Sequence, residues 1–229
     1  DLPEKVYTKR SVSLTSEQVK AYTEMKKAAI TFFEENVMTA ASVLTQMIRL
    51  HQIICGHVKT DDGEVKSIKS NRVKELLEVL EETNGKVIIW AVYRYDIQAI
   101  EKTLGEKYGK ESVATYYGDT KDSIRQSIVD RFMDADDDLR FFVGNPKTGG
   151  YGLTLTSSHT VVYYSNDYSL EVRLQSEDRA HRIGQTNKVT YVDLMADHTI
   201  DEKIVKALNA KIDLASQVMG EDPKKILFG

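Results

Sequence analysis

The feature that most restricts this fold is a series of strand-length apolar runs separated by helical stretches. Val87-Ile-Ile-Trp-Ala-Val92 contains no polar residue. A strand with one wet face alternates polar and apolar positions, so an unbroken run of this length predicts burial on both faces, as in a parallel sheet. Val113–Tyr117, Leu139–Val143, Thr160–Tyr164 and Val189–Leu194 read as further strands. Helical spacing falls between them. Ser70 caps a helix carrying Val73, Leu76, Leu77 and Leu80 that stops near Asn84-Gly85. Ile97, Ile100 and Leu104 share a phase, and Asp122 caps a helix carrying Ile124, Ile128 and Phe132. Strands alternating with helices imply βαβ units with right-handed crossovers: an α/β chain, its parallel sheet flanked by helices.

The first 69 residues read differently. Thr15-Ser-Glu-Gln18 is a capping-box pattern that opens a helix to about Glu35. A second helix from Thr39 to Ile54 carries Val43, Met47, Leu50 and Ile54 on one stripe, and Asp62-Gly63 predicts the turn of a small hairpin. Residues 1–69 are therefore expected to form a lead-in segment and helical protrusion, 70–195 the sheet core, and 196–229 a closing helix and tail packing on it. No apolar run approaches the ~20 residues of a membrane span, and the N-terminus lacks the basic start and apolar block of a signal peptide. The single cysteine, Cys55, follows Ile53 and Ile54, which predicts a buried thiol and points to the cytoplasm. A net charge of −4 argues against a generally basic nucleic-acid binder, while leaving room for a local basic groove. Asp134, Asp136, Asp137 and Asp138 form a solvated acidic loop, without the interleaved ligands and glycine of a calcium site.

In open α/β sheets, ligands gather beyond the carboxyl ends of strands. After Val143 comes Gly144-Asn-Pro-Lys-Thr-Gly-Gly-Tyr-Gly152. Gly149, Gly150 and Gly152 permit tight turns that leave backbone N–H groups open to phosphate oxygens. This is no Walker A loop, since Gly-Lys-Ser/Thr occurs nowhere in the chain. In Gln175-Ser-Glu-Asp-Arg-Ala-His-Arg-Ile-Gly-Gln185, Arg179 and Arg182 lie three apart, close to one helical turn, so both can face one way. Two guanidinium forks suit the spread charge of a transferring phosphoryl group. An arginine pair alone would read as surface ion pairs worth about 0–1 kcal/mol. His51 reads as a packed helix residue, His159 lacks hydrolase-triad partners, and His181 orients its neighbours or faces solvent. Trp90, Tyr116 and Tyr117 read as packing residues.

The order of these segments resembles the second RecA-like domain of Swi/Snf-type superfamily-2 DNA-translocating ATPases. Lys86–Tyr93 is similar to the strand motif that opens that domain. Tyr117-Gly-Asp-Thr120 with Arg125 and Phe132 looks like its next block, Lys147–Leu155 its glycine-rich motif, and Gln175–Gln185 its last. Leu2-Pro-Glu-Lys5, Thr15–Tyr22, the helices to Cys55 and Thr199-Ile-Asp-Glu202 resemble the family's lead-in, its helical protrusion and the approach to its closing helix. The resemblance implies a RecA-like fold. It implies that Arg179 and Arg182 reach across a cleft to ATP while Gln175 senses closure. Gly150, Gly152 and Asp178 would border the nucleotide, and Thr120, Lys147, Thr148 and Gly149 would touch phosphates of one strand of double-stranded DNA. The Walker A lysine and DEAH box would belong to an N-terminal RecA-like domain of the same polypeptide, which would hold ATP and Mg²⁺. This chain alone would bind no cofactor and be inactive. A bacterial or phage source is implied, and Gly184-Gln185 after Ile183 favours the DNA-translocating branch over RNA helicases. The chain departs from the family pattern at Asn145-Pro146, Thr154 and Tyr168-Ser169-Leu170. A non-enzymatic RecA-like binding or regulatory module is the alternative.

Overall fold

A computed structural model describes residues 2–35, 39–60, 62–148 and 152–211. In chain order come strand β1 (Lys5–Ser11), helices α1 (Ser16–Glu35) and α2 (Ala40–Cys55), strands β2 (His57–Lys59) and β3 (Val65–Ser67), and helix α3 (Arg72–Glu81). Then follow β4 (Val87–Trp90), α4 (Arg94–Tyr108), β5 (Val113–Tyr116), α5 (Asp122–Met133), β6 (Phe141–Gly144) and β7 (Thr160–Tyr163). Helix α6 (Leu170–Glu177), β8 (Val189–Met195) and α7 (Ile200–Asn209) complete the series.

Six strands form one sheet in the order β1-β8-β7-β4-β6-β5. β4 lies at its centre, Val87 pairing with Phe141 on one side and Thr160 on the other, both in parallel. β5 pairs with β6, and β8 with β7, also in parallel. Every residue of β4, β6 and β7 is buried, which is why their sequences show no alternation. Trp90, Phe132, Phe142, Tyr163 and Tyr191 share the core beneath one face. Gly144 is needed there, because a Cβ would lie 2.8 Å from Trp90 Cζ3 and 2.9 Å from the Tyr116 carbonyl oxygen. Tyr116 packs on Phe142, as its strand position predicts.

β1 was not legible as a strand. Val189 N–H donates to the Glu4 carbonyl and Val12 N–H to that of Met195, which brings β1 alongside β8 in the same direction. It is an edge strand whose exposed Lys9 and neighbouring Arg10 replace the apolar alternation that would have signalled it. The chain forms two compact units. One compact unit holds the described residues up to Arg10 with Lys74–Asp167 and Glu171–Leu194; the other holds Ser11–Val73, Tyr168–Leu170 and the described residues from Met195.

In the helical unit the capping box at Thr15 forms as predicted: Gln18 N–H donates to Thr15 Oγ1 and Thr15 N–H to Gln18 Oε1. The buried Gln18 amide also donates to the Ile53 and Ile54 carbonyls, tying the start of α1 to the end of α2. Gly56 ends α2 in the left-handed region at φ +100°, where a Cβ would meet Ser70 Cβ at 2.8 Å. The predicted hairpin is β2 with β3. Helix α7, expected against the sheet core, instead contributes Ile200, Ile204 and Leu208 to a cluster with Val43, Met47, Leu50 and Ile54 of α2. Arg72 Nη2 lies 2.5 Å from Asp201 Oδ2, both fully buried, and His51 Nε2 lies 3.6 Å from Asp201 Oδ1. Burial works against the Asp201 charge, yet Arg72 and His51 hold its carboxyl down at about 2. Asp122 stands inside α5, one position past its N-cap Lys121, so it does not cap that helix. Residues 212–229 of the expected tail lie outside the described residues.

Candidate functional site

The loops at the carboxyl ends of β4, β5, β6 and β7 are laced together. Asn145 does most of this: its N–H donates to the Tyr116 carbonyl at 3.1 Å, its side-chain amide to Val92 O at 2.8 Å, and its Oδ1 accepts from Lys147 N–H at 2.9 Å. Val92 N–H donates to Ser165 Oγ. The Asn145 side chain thus links the β4 loop to the Lys147 turn. Lys147 is exposed at its end and pairs with Asp167 at 2.8 Å. Thr148 N–H closes the turn on Asn145 O. Gly149 and Gly150 lie outside the described residues. Thr120 is engaged within its own turn. Its buried hydroxyl donates to Thr115 O and accepts from Tyr117 N–H, both at 3.0 Å. That hydroxyl shapes the turn after β5.

The arginine segment also differs from expectation. α6 ends at Glu177, so Arg179 and Arg182 are not on a helix. The chain leaves in successive turns, Ala180 and His181 N–H both donating to Glu177 O and Gln185 N–H to Arg182 O. These turns, not helical spacing, bring Arg179, Arg182, Asp178 and Gln175 around one open cleft of about 490 Å³, with Leu2, His181 and Ile183 completing its lining. The cleft also lies at the opposite end of the sheet from the carboxyl-end loops. Leu155 N–H donates to Arg179 O and Gln185 Nε2 to Ser158 O, both just ahead of β7. Gln175 is exposed and donates to Glu171 Oε1 at 2.9 Å. Arg182 Nη1 donates to Leu153 O at 3.1 Å, one residue past the exposed Gly152 at φ +86°. Arg179 is only 9% exposed. Burial, and then the adjoining Arg182 charge, push its guanidinium below the ordinary value, while Asp178 acts the other way. Among the described residues no three His, Cys, Asp or Glu side chains gather to hold a metal.

A buried network that the sequence reading missed fixes the angle of α6. Arg173 donates through Nε to Glu177 Oε1 at 2.7 Å and through Nη1 to Asn166 Oδ1 and Asp193 Oδ1 at 2.6 Å. Its guanidinium lies 3.6 Å over the Tyr163 ring. Burial opposes the Arg173 charge, but Tyr163, Asp193 and Glu177 hold it protonated above the usual range. Glu177 also accepts from Tyr7 Oη at 2.8 Å and Lys5 Nζ at 3.1 Å. Burial pushes its carboxyl up, but Arg173, Tyr7 and Lys5 outweigh that and leave it below the ordinary value. The signal was present as a charged Asp193 inside the mostly apolar β8 and as Arg173 four residues before Glu177.

One connection joins the two ends of the sheet. The crossover from β6 to β7 starts among the carboxyl-end loops at Asn145 and returns to the amino end of β7 at Ser158. On its return leg Leu153 holds Arg182, Leu155 holds the Arg179 carbonyl, and Thr156 and Ser158 accept from the buried Gln185 amide, which also donates to Ala180 O.

The chain has relatives among known proteins. A family model described as the helicase conserved C-terminal domain matches residues 68–184. The ATP-dependent helicase fft2 of Schizosaccharomyces pombe is 30% identical over 196 residues, which is 85% of this chain but 15% of that protein. The ATP-dependent helicase FUN30 of Saccharomyces cerevisiae is 28% identical over 96% of this chain and 19% of its own length. The chain thus spans less than a fifth of these relatives. Among solved structures, the Sulfolobus solfataricus SWI2/SNF2 ATPase core in complex with dsDNA superposes with a TM-score of 0.77 at 23% identity, over 100% of this chain and 49% of that one. Its C-terminal domain, solved alone, gives 0.71 at 20% identity over 98% and 99%. At these identities the likeness shows the RecA-like fold.

Proposed function

This chain belongs to the helicase conserved C-terminal domain family, among relatives that are Swi/Snf-type ATP-dependent helicases, and we propose that it is the second motor domain of a DNA-dependent ATPase that translocates on double-stranded DNA. The observation that carries this reading is the cleft in which Arg179 and Arg182 stand together, one buried and one half-buried. ATP with Mg²⁺, held mainly by an N-terminal RecA-like domain of the same polypeptide, supplies the phosphoryl group to be transferred. Arg179 and Arg182 place two planar forks where negative charge grows, and water finds fewer places beside the sunken Arg179. Gln175 and Asp178 border the same cleft, Gln175 answering its closure. At the other end of the sheet Lys147, Thr148 and the glycine loop contact DNA phosphates, as fits a relative's fold solved with dsDNA. The β6–β7 crossover ties the two events together. By itself the chain hydrolyses no ATP. No described helix is long and apolar enough to cross a membrane, and a cytoplasmic motor is the proposal.

The test is kcat of the intact motor with DNA saturating. Arginines that meet developing charge act on turnover more than on nucleotide affinity, by roughly 10³–10⁵ for arginine fingers. Arg179→Ala and Arg182→Ala should each nearly abolish turnover with the thermal midpoint retained, and lysine should restore little, lacking the planar fork. Near-normal turnover in either alanine variant would refute that residue's assignment.

A further inference from the structure

The arginine segment is held from outside by the first residues of the chain. Lys5 Nζ stands between two carboxylates, 3.1 Å from Glu177 Oε2 and 3.2 Å from Asp178 Oδ1. His181 Nε2 lies 2.6 Å from the Pro3 carbonyl oxygen, so that nitrogen carries the proton. Leu2 reaches the cleft itself. The stretch from Leu2 to Tyr7 thus runs along the turns that carry Arg179 and Arg182, bonded on both sides of Arg179.

The two carboxylates are unequal. Glu177 is buried and already bound by Arg173 and Tyr7. Asp178 is 64% exposed at its side chain and lines the cleft with both arginines. An exposed carboxylate beside two guanidiniums competes with an anionic ligand, because it forms the same charge-assisted hydrogen bonds. An exposed ion pair of this kind adds little to stability, so its value lies in where it keeps the aspartate.

We propose that Lys5 is a positioning residue: it engages the Asp178 carboxylate and so limits its competition with phosphate for Arg179 and Arg182. This rests on the arginine reading above. The segment around Lys5 then acts as a catch on the cleft, and displacing it releases Asp178 onto the arginines. The cleft would be closed to phosphate by the chain's own carboxylate.

The experiment is a double-mutant cycle in the intact motor, reading kcat with DNA saturating, Kd for DNA and the thermal midpoint. Lys5→Gln should lower kcat by on the order of tenfold, the scale of a displaced positioning contact, with DNA affinity unchanged. In the Asp178→Asn background the same Lys5→Gln change should cost less than about twofold, because no competing carboxylate remains to be released. A Lys5→Gln loss of equal size in both backgrounds, or no loss in the first, would overturn the inference. Arg179→Ala in the same assay separates the two readings. If it is inactive while Lys5→Gln is normal, the positioning role alone fails; if Arg179→Ala keeps its turnover, the arginine reading fails with it.

Discussion

Removing the Arg173 guanidinium gives the sharpest check on how this molecule holds its arginine segment. Arg173→Met keeps length and apolar contact with the Tyr163 ring, but leaves Asp193 buried against Asn166 alone and strips one of three partners from Glu177. Breaking a buried pair from one side costs about 3–5 kcal/mol. Glu177 retains Lys5 and Tyr7, so the lower end applies, about 3 kcal/mol. Trp90, the only tryptophan in the sequence, lies in the same core as Tyr163, so its fluorescence reports unfolding of the sheet unit. At a urea slope of about 2 kcal/mol/M the midpoint should fall by about 1.5 M. Arg173→Met with Asp193→Leu should regain much of the loss, because a matched apolar pair leaves no stranded charge. A single-variant shift under about 0.3 M, or a double variant weaker than the single, would refute the network as the element that fixes α6.

Three further outcomes are expected. Asp201, held at about 2 against an ordinary 3.8, stabilises fully above the unfolded value and loses that contribution as pH falls through the folded one; Asp201→Asn should cost about 2 kcal/mol at pH 7 and flatten the acid limb below pH 4 in a far-ultraviolet dichroism titration, and an unchanged limb counts against the Arg72–Asp201 pair. Gly144→Ala should cost about 1–3 kcal/mol in the Trp90 urea assay, since the Tyr116 carbonyl at 2.9 Å cannot move as a side chain would; a neutral result contradicts that close approach. Lys147→Ala should weaken binding of duplex DNA by this chain and reduce the salt slope by about 1, measured by anisotropy; an unchanged slope removes Lys147 from the phosphate contacts.

What the sequence determined by itself is the set of local and strongly patterned features. The all-apolar Val87–Trp90 run required two covered faces, and β4 has them. Thr15 and Gln18 formed their capping box because its bonds span three residues and need no tertiary partner. Trp90 and His51 became core residues, and Cys55 a buried thiol, as their neighbours predicted. The glycine-rich and arginine-bearing segments were visible as motifs, and their order carried the family.

Tertiary structure decided where those motifs face. Helical spacing suggested that Arg179 and Arg182 share a helix face, but α6 stops at Glu177, and the turns beyond it depend on carbonyls that Leu153, Thr156 and Ser158 bring from 29 to 27 residues away. The Thr120 hydroxyl closes its own turn through Thr115 and Tyr117, a pairing that the motif does not announce. β1 had no apolar alternation, since an edge strand gains its place from backbone bonds that any sequence can make. Lys5 and Asp178 are 173 positions apart, and nothing local to either one announces the other. Periodicity and caps report interactions within a few residues, whereas a charge network or an edge strand is set by partners that only the folded chain delivers.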